Sequence, residues 1–253
     1  AVGNNALLVN TTGVNNIAIG GNALDANTTA DSNIAIGRNC LGASTTGDRN
    51  VAIGTEALDA NTVGDRSVAV GYSALGSQNP ASNADMYNTA VGYSAGFAIT
   101  TGDSNTAIGG LALNNNTTAS DNTAVGRSAL EQNTTGVSNT AVGYEAMASN
   151  ITGTNNTAVG REALTANTSS DNTAVGQASM LANTSGRYNT AVGRQSLTTN
   201  TTGNNNIAMG FRSLRYNTGN DNIGIGVNAL ISNTTAAANT AVGTNALLSN
   251  TTG

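Results

Sequence analysis

Small aliphatic residues recur at a fixed spacing along this chain. The string Asn-(Thr/Ile/Val)-Ala-(Val/Ile)-Gly-x-x-Ala-Leu-x-x-Asn-Thr-Thr-Gly, with local substitutions, occurs fifteen times in 253 residues. The glycine after its aliphatic core returns every 17 residues, except for two spacings of 16 and one of 21. A pair of packed helices needs roughly 30 residues, whereas 17 residues suit one coil of a β-solenoid. The pattern predicts an all-β chain, a parallel β-solenoid or β-roll of about fifteen 17-residue coils.

Alternation within each short strand predicts an inward and an outward face. We number positions from the strand glycine, which is position 0. Positions −1 and −3 are aliphatic or β-branched and lie on the same face of a strand, which we expect to face inward. Leucine at position +4 supplies a second apolar anchor. The predicted core residues are Val125, Val142, Val159 and Val192 at position −1, with Leu130, Leu164 and Leu197 at position +4.

Alanine at position −2 points the opposite way in this interpretation. It occupies that position in fourteen of the fifteen repeats, so something must approach it closely. A second layer of the same coil is one explanation, and contact with another chain is the other. We favour the second, with the chains intertwined or packed as a homotrimer. The predicted interchain seam comprises Ala107, Ala124, Ala141, Ala158, Ala174 and Ala191.

Asparagine fills two further columns. It tolerates tight corners, and identical amides stacked at one coil spacing can form a hydrogen-bonded ladder. We therefore predict structural corners rather than ligand sites. The predicted corners are Asn122, Asn139 and Asn156 at position −4, and Asn133, Asn150 and Asn167 at position +7.

The composition argues against an enzyme. The chain has no His, one Cys and only 9% charged residues, so no recurring nucleophile, base or metal-ligand cluster is available. We expect no cofactor, no metal and no catalytic residue. A net charge of −5, without a basic stripe, also argues against nucleic acid as a partner. No apolar run reaches the roughly 18 residues of a membrane span.

The strings from Asn122 to Gly136 and from Asn139 to Gly153 carry a family resemblance. They resemble the repeats of phage and bacterial tail-fibre-type proteins, which often end in an endosialidase-type intramolecular chaperone. The Ala-Ile-Gly and Ala-Val-Gly cores are also similar to the head repeats of trimeric autotransporter adhesins. That resemblance implies a fibrous trimer, although the 17-residue period is longer than the usual unit of those heads.

These observations lead to one main functional hypothesis and one alternative. We expect a structural and adhesive fibre shaft, extracellular, on the cell surface or on a virion tail, with a host glycan or receptor bound through a tip outside this sequence. The alternative is a ligand-binding solenoid, either ice-binding or calcium-binding. We expect residues 1–253 to be a single repeat array within a longer chain, with an irregular insertion at 78–88 that is either a recognition loop or a tolerated bulge.

Overall fold

The computed structural model describes residues 1–252 and divides them into two compact units, Ala1–Arg127 and the residues from Ser128 onward. Both units are built from short parallel strands joined by tight turns, and the described residues contain no helix. The predicted parallel β-solenoid with a spacing of about 17 residues is therefore confirmed.

Almost every strand is three residues long and ends one residue before a strand glycine. The first unit contains β1 (Ile17–Ile19), β2 (Ile34–Ile36), β3 (Val51–Ile53), β4 (Gly64–Asp65), β5 (Val68–Val70), β6 (Ala84–Asp85), β7 (Thr89–Val91), β8 (Thr106–Ile108) and β9 (Thr123–Val125). The second contains β10 (Thr140–Val142), β11 (Thr157–Val159), β12 (Thr173–Val175), β13 (Thr190–Val192), β14 (Ile207–Met209), β15 (Ile223–Ile225) and β16 (Thr240–Val242).

Within each unit, successive three-residue strands pair in parallel with equivalent positions side by side. Ala18 lies beside Ala35 in the first unit, and Ala158 lies beside Ala174 in the second. Backbone hydrogen bonds continue the register into the turns, as in the 2.8 Å bond from the Gly37 amide to the Ile19 carbonyl. Each sequence column therefore becomes a straight file of side chains along the unit.

Three residues of most coils adopt a left-handed backbone, which keeps the turns short. Glu162 at position +2 has a φ of 56°, Leu164 at position +4 a φ of 51°, and Asn155 at position −5 a φ of 57°. Asn and Asp tolerate this geometry, and Asn, Asp and Ser are frequent at positions +2 and −5. Leucine does not favour it, but Leu164 is fully buried, so packing holds it there.

The prediction of which strand face points inward is wrong. Val125, Val142 and Val192 are partly exposed, and Val159 is 36% exposed, so they lie on the outside of the coil. The predicted seam alanines are instead buried within their own chain: Ala107 is 1% exposed, and the following residues are 0% exposed: Ala124, Ala141, Ala158, Ala174 and Ala191. Leu130, Leu164 and Leu197 are buried as predicted.

The narrowness of the coil explains this inversion. Position −2 faces the side chains at positions +3 and +4 of the preceding coil. At Gly224, the one repeat without alanine there, an added Cβ would lie 2.6 Å from Ser213 Oγ and 3.1 Å from Leu214 Cγ. Alanine methyl groups fill this space in the other repeats, and at Gly224 even a methyl group would clash with Ser213, so the larger valine or isoleucine faces outward.

The insertion at 78–88 leaves the solenoid stacking intact. Strand β6 pairs in parallel with β4, so Ala84 lies beside Gly64 across the longer turn. Gln78 stands where most coils have asparagine at position +7, and Ser67 stands where most have asparagine at position −4. Ser67 Oγ lies 3.0 Å from Gln78 Nε2, so the longer amide reaches the shorter hydroxyl and preserves a buried polar contact.

Candidate functional site

The surface that distinguishes this molecule is the outward face, formed by positions −3 and −1 of the three-residue strands. Because the strands are parallel and in register, position −1 forms an aliphatic file, and Ile53, Val91 and Ile108 in that file are 38–40% exposed. No charged residue occupies either position in any repeat. Each unit therefore presents an uncharged strip with apolar character.

The second file of the outward face changes from aliphatic residues to threonine. Position −3 is Ile or Val from Ile17 to Val68, threonine from Thr89 to Thr190, then Ile207, Ile223 and Thr240. The central threonines are partly exposed, as their neighbouring valines are. This outward Thr file was expected to lie inside the coil, and it is the main surface feature that the sequence interpretation missed.

A different Thr file, at position +8, is used within the fold. Thr11 Oγ1 donates to the Thr28 carbonyl at 2.8 Å, and Thr184 Oγ1 donates to the Thr201 carbonyl at 2.9 Å. These hydroxyl groups link a coil to the next one. Because these hydroxyl groups already donate to backbone carbonyls, we assign them a structural role and not a role in ligand binding.

The two asparagine columns are buried and form ladders, as their periodicity predicted. Asn156 Nδ2 donates to Asn139 Oδ1 at 3.1 Å, and Asn150 Nδ2 donates to Asn133 Oδ1 at 3.1 Å. Asn122, Asn133, Asn139, Asn150, Asn156 and Asn167 are all at most 1% exposed. Their amides also bind turn carbonyls, so these residues are structural and offer no surface to a ligand.

The position +7 ladder is interrupted at Ser44. Asn27 Nδ2 donates to Asn10 Oδ1 at 2.7 Å, but Ser44 is too short to continue the chain of amides. Asn27 Oδ1 and Ser44 Oγ are both buried without a hydrogen-bond partner. A buried polar atom without a partner destabilises the folded state.

Ser44→Asn should therefore stabilise the protein. An asparagine at this position can donate to Asn27 Oδ1, and the gain expected from one satisfied buried acceptor is about 1 kcal/mol. Thermal or denaturant unfolding measures the change, with Ser44→Ala as the control, which removes one orphan atom but leaves Asn27 Oδ1 unpaired. A Ser44→Asn variant that is less stable than Ser44→Ala would contradict this interpretation of the ladder.

Cys40 occupies the small-residue column at position +3. It is fully buried, and its Sγ donates to the Ala52 carbonyl at 3.0 Å, as Ser179 Oγ donates to the Ala191 carbonyl at 3.0 Å. Burial raises the pKa of the Cys40 thiol to about 12, with the Asp59 carboxylate as a further raising influence. The thiol therefore has a structural role equivalent to that of serine.

Cys40 should resist alkylation in the native protein. At pH 8 the thiol is protonated and inaccessible, and the thiolate is the reactive form. Iodoacetamide labelling followed by mass spectrometry should give no adduct until denaturant is added. Cys40→Ser should retain native stability to within about 0.5 kcal/mol, because serine already fills equivalent positions. Rapid labelling of the folded protein would contradict this placement.

Two carboxylates in the first unit have raised pKa values. Burial is the main cause for Asp59, followed by repulsion from Glu56 and Asp25. Burial is also the main cause for Asp65, which accepts a 2.7 Å hydrogen bond from the Asp48 amide. Asp65 belongs to a file in which each carboxylate binds the backbone of the preceding coil, so it supports the stacking of turns.

Conventional sites are absent from the part of the chain that the structure describes. Residues 1–252 contain no pocket and no group of three His, Cys, Asp or Glu side chains suited to a metal ion. Over the same residues, no helix has the length and apolar character needed to cross a membrane. Comparisons with protein-family models, curated proteins and solved structures find no match to this chain. The functional interpretation therefore depends on the exposed surfaces.

Proposed function

We propose that this chain is part of a structural, adhesive fibre shaft that assembles from copies of itself. The observation that carries the proposal is the outward face, an uncharged strip with an aliphatic file in each unit. Each added coil lengthens this strip by about 4.8 Å without changing its chemistry. Such a repeat suits a molecule whose role is length and stiffness rather than catalysis.

The occupant that fits the outward face best is a second copy of the same chain. Other copies present the same file spacing, so valine and threonine side chains of three strips that face a common axis can interdigitate along their whole length. Exposed apolar strips of this kind favour association, because burial removes apolar surface from water. We therefore propose a homotrimer whose interchain contact is formed by the outward residues at positions −3 and −1, and not by the buried alanines. Three copies form a closed assembly when each contributes one strip.

The setting we propose is extracellular, on a cell surface or a virion tail. The tail-fibre and adhesin resemblance of the repeats supports this setting, and the composition supports a non-enzymatic role. Electron microscopy of the full-length protein is the direct test. Thin rods that lengthen when coils are duplicated would support a shaft, and compact particles of unchanged size would contradict it.

Ice binding is a second candidate, favoured by the outward Thr file. Thr140, Thr157, Thr173 and Thr190 repeat at coil spacing on a parallel sheet beside a valine file. An array of this regularity can order water at a fixed spacing, because these hydroxyl groups lie on the outward face of the coil. Thermal hysteresis at millimolar protein distinguishes the candidates. Hysteresis that is lost in Thr157→Val/Thr173→Val would favour ice binding over the shaft.

A further inference from the structure

The charges of the second unit are unevenly distributed. Residues 172–220 contain four of the nine arginines and no Asp or Glu, in a chain whose net charge is −5. Arg187 is compensated by Asp171, whose Oδ2 lies 3.3 Å away. The other three, Arg194, Arg212 and Arg215, make no ion pair among residues 1–252.

These three arginines lie against two aromatic rings, Phe211 and Tyr216, that belong to the same coil. The Cζ atoms of Arg194 and Arg212 lie 5.8 and 4.7 Å from the centre of the Phe211 ring, and Arg215 Cζ lies 5.1 Å from that of Tyr216. Arg212 Nε also donates to Gln195 Oε1 at 3.1 Å. We call Arg194, Phe211 and Arg212 the arginine–aromatic patch; Arg215 and Tyr216 form a separate pair further along the same coil.

The patch is preorganised for an anion. A guanidinium held against a ring loses less side-chain entropy on binding, and its N–H edge remains available to a carboxylate. Arg194 is exposed, and Phe211 and Arg212 are partly exposed, so a ligand can reach them. Arg161 provides a contrast, because Glu162 Oε1 lies 2.8 Å from its guanidinium and neutralises it.

We propose that the arginine–aromatic patch binds a carboxylate-bearing polysaccharide. The positive charge of the patch favours an acidic ligand. Because the net charge of the chain is −5, an acidic polymer should be repelled by the rest of the surface and bind at the patch. Single-stranded nucleic acid needs open rings for base stacking along a basic groove. Here guanidinium groups already lie against the Phe211 ring, and the positive charge is confined to a short stretch. Carboxylates spaced along a sugar chain need only the N–H edges that remain free.

Affinity electrophoresis with polygalacturonate in the gel tests this proposal, with neutral dextran and an oligothymidylate as parallel probes. We expect retardation of the wild-type protein by polygalacturonate alone. Arg194→Gln/Arg212→Gln should weaken that binding at least tenfold, and Arg212→Lys should weaken it less. Arg161→Gln is the matched control and should bind as the wild type does, with circular dichroism verifying that all variants are folded.

Several results would overturn the proposal. These are equal binding to dextran, binding to oligothymidylate as tight as to polygalacturonate, an equal loss in Arg161→Gln, or no retardation of the wild type. The test is independent of the fibre proposal, because a molecule that forms no rods can still bind through this patch.

Discussion

Gly109→Ala is expected to destabilise the first unit strongly, whereas Gly110→Ala is expected to be nearly neutral. Gly109 has a φ of +129°, and an added Cβ would lie 2.6 Å from the carbonyl oxygen of Gly126. That atom is backbone and cannot move aside, and the backbone angle is itself unfavourable for alanine. We expect a loss of about 3 kcal/mol or more, a large part of the stability of an ordinary domain.

The neighbouring glycine makes a close control. At Gly110 the nearest atom to an added Cβ, the Tyr93 carbonyl oxygen, is 4.0 Å away, so alanine has room. Circular dichroism during denaturant unfolding compares the two variants. Equal stability of Gly109→Ala and Gly110→Ala would show that the strand glycine is not held by the close approach of the next coil.

Ala158→Arg is expected to abolish folding of its coil even in an isolated chain. Ala158 is fully buried beneath the strand, and an unpaired charge there costs about 3 to 5 kcal/mol. Thr157→Arg is the matched control, because the adjacent side chain lies on the outward face and can extend into solvent. Far-ultraviolet circular dichroism and thermal unfolding should separate them clearly. A folded Ala158→Arg monomer would contradict the assignment of alanine to the interior.

The coil was predictable from the sequence because period, turn residues and strand alternation agree. The 17-residue spacing specified the stacking, and the asparagine columns specified the buried ladders, as at Asn139 and Asn156. Alternation alone, however, does not say which of two faces is inside. Greater hydrophobicity normally decides that question, and it favoured Val159 over Ala158. In the structure, alanine faces inward and valine outward, because the space beneath the strand is too small for valine. The size of that space depends on how neighbouring coils pack, which the alternation does not show.

The surface features were harder to predict for the same reason. The Thr file from Thr89 to Thr190 is a surface feature only because it faces outward, and the sequence interpretation had placed it inside the coil. The arginine–aromatic patch depends on the register that sets Arg194 beside Phe211, one coil later in the chain. Conversely, Leu164 and Cys40 were predictable, because their columns contain only small or aliphatic residues that the narrow interior accepts.

Sedimentation equilibrium tests the central claim, that copies of this chain associate through the outward face. Wild-type protein should sediment at three times the 25.0 kDa chain mass. Thr157→Arg/Thr173→Arg, which places charges side by side on that face, should remain folded and sediment as a single chain. Thr157→Ser/Thr173→Ser should retain the wild-type mass. A wild-type protein that sediments as a single chain, or an arginine variant that keeps the assembled mass, would contradict the account.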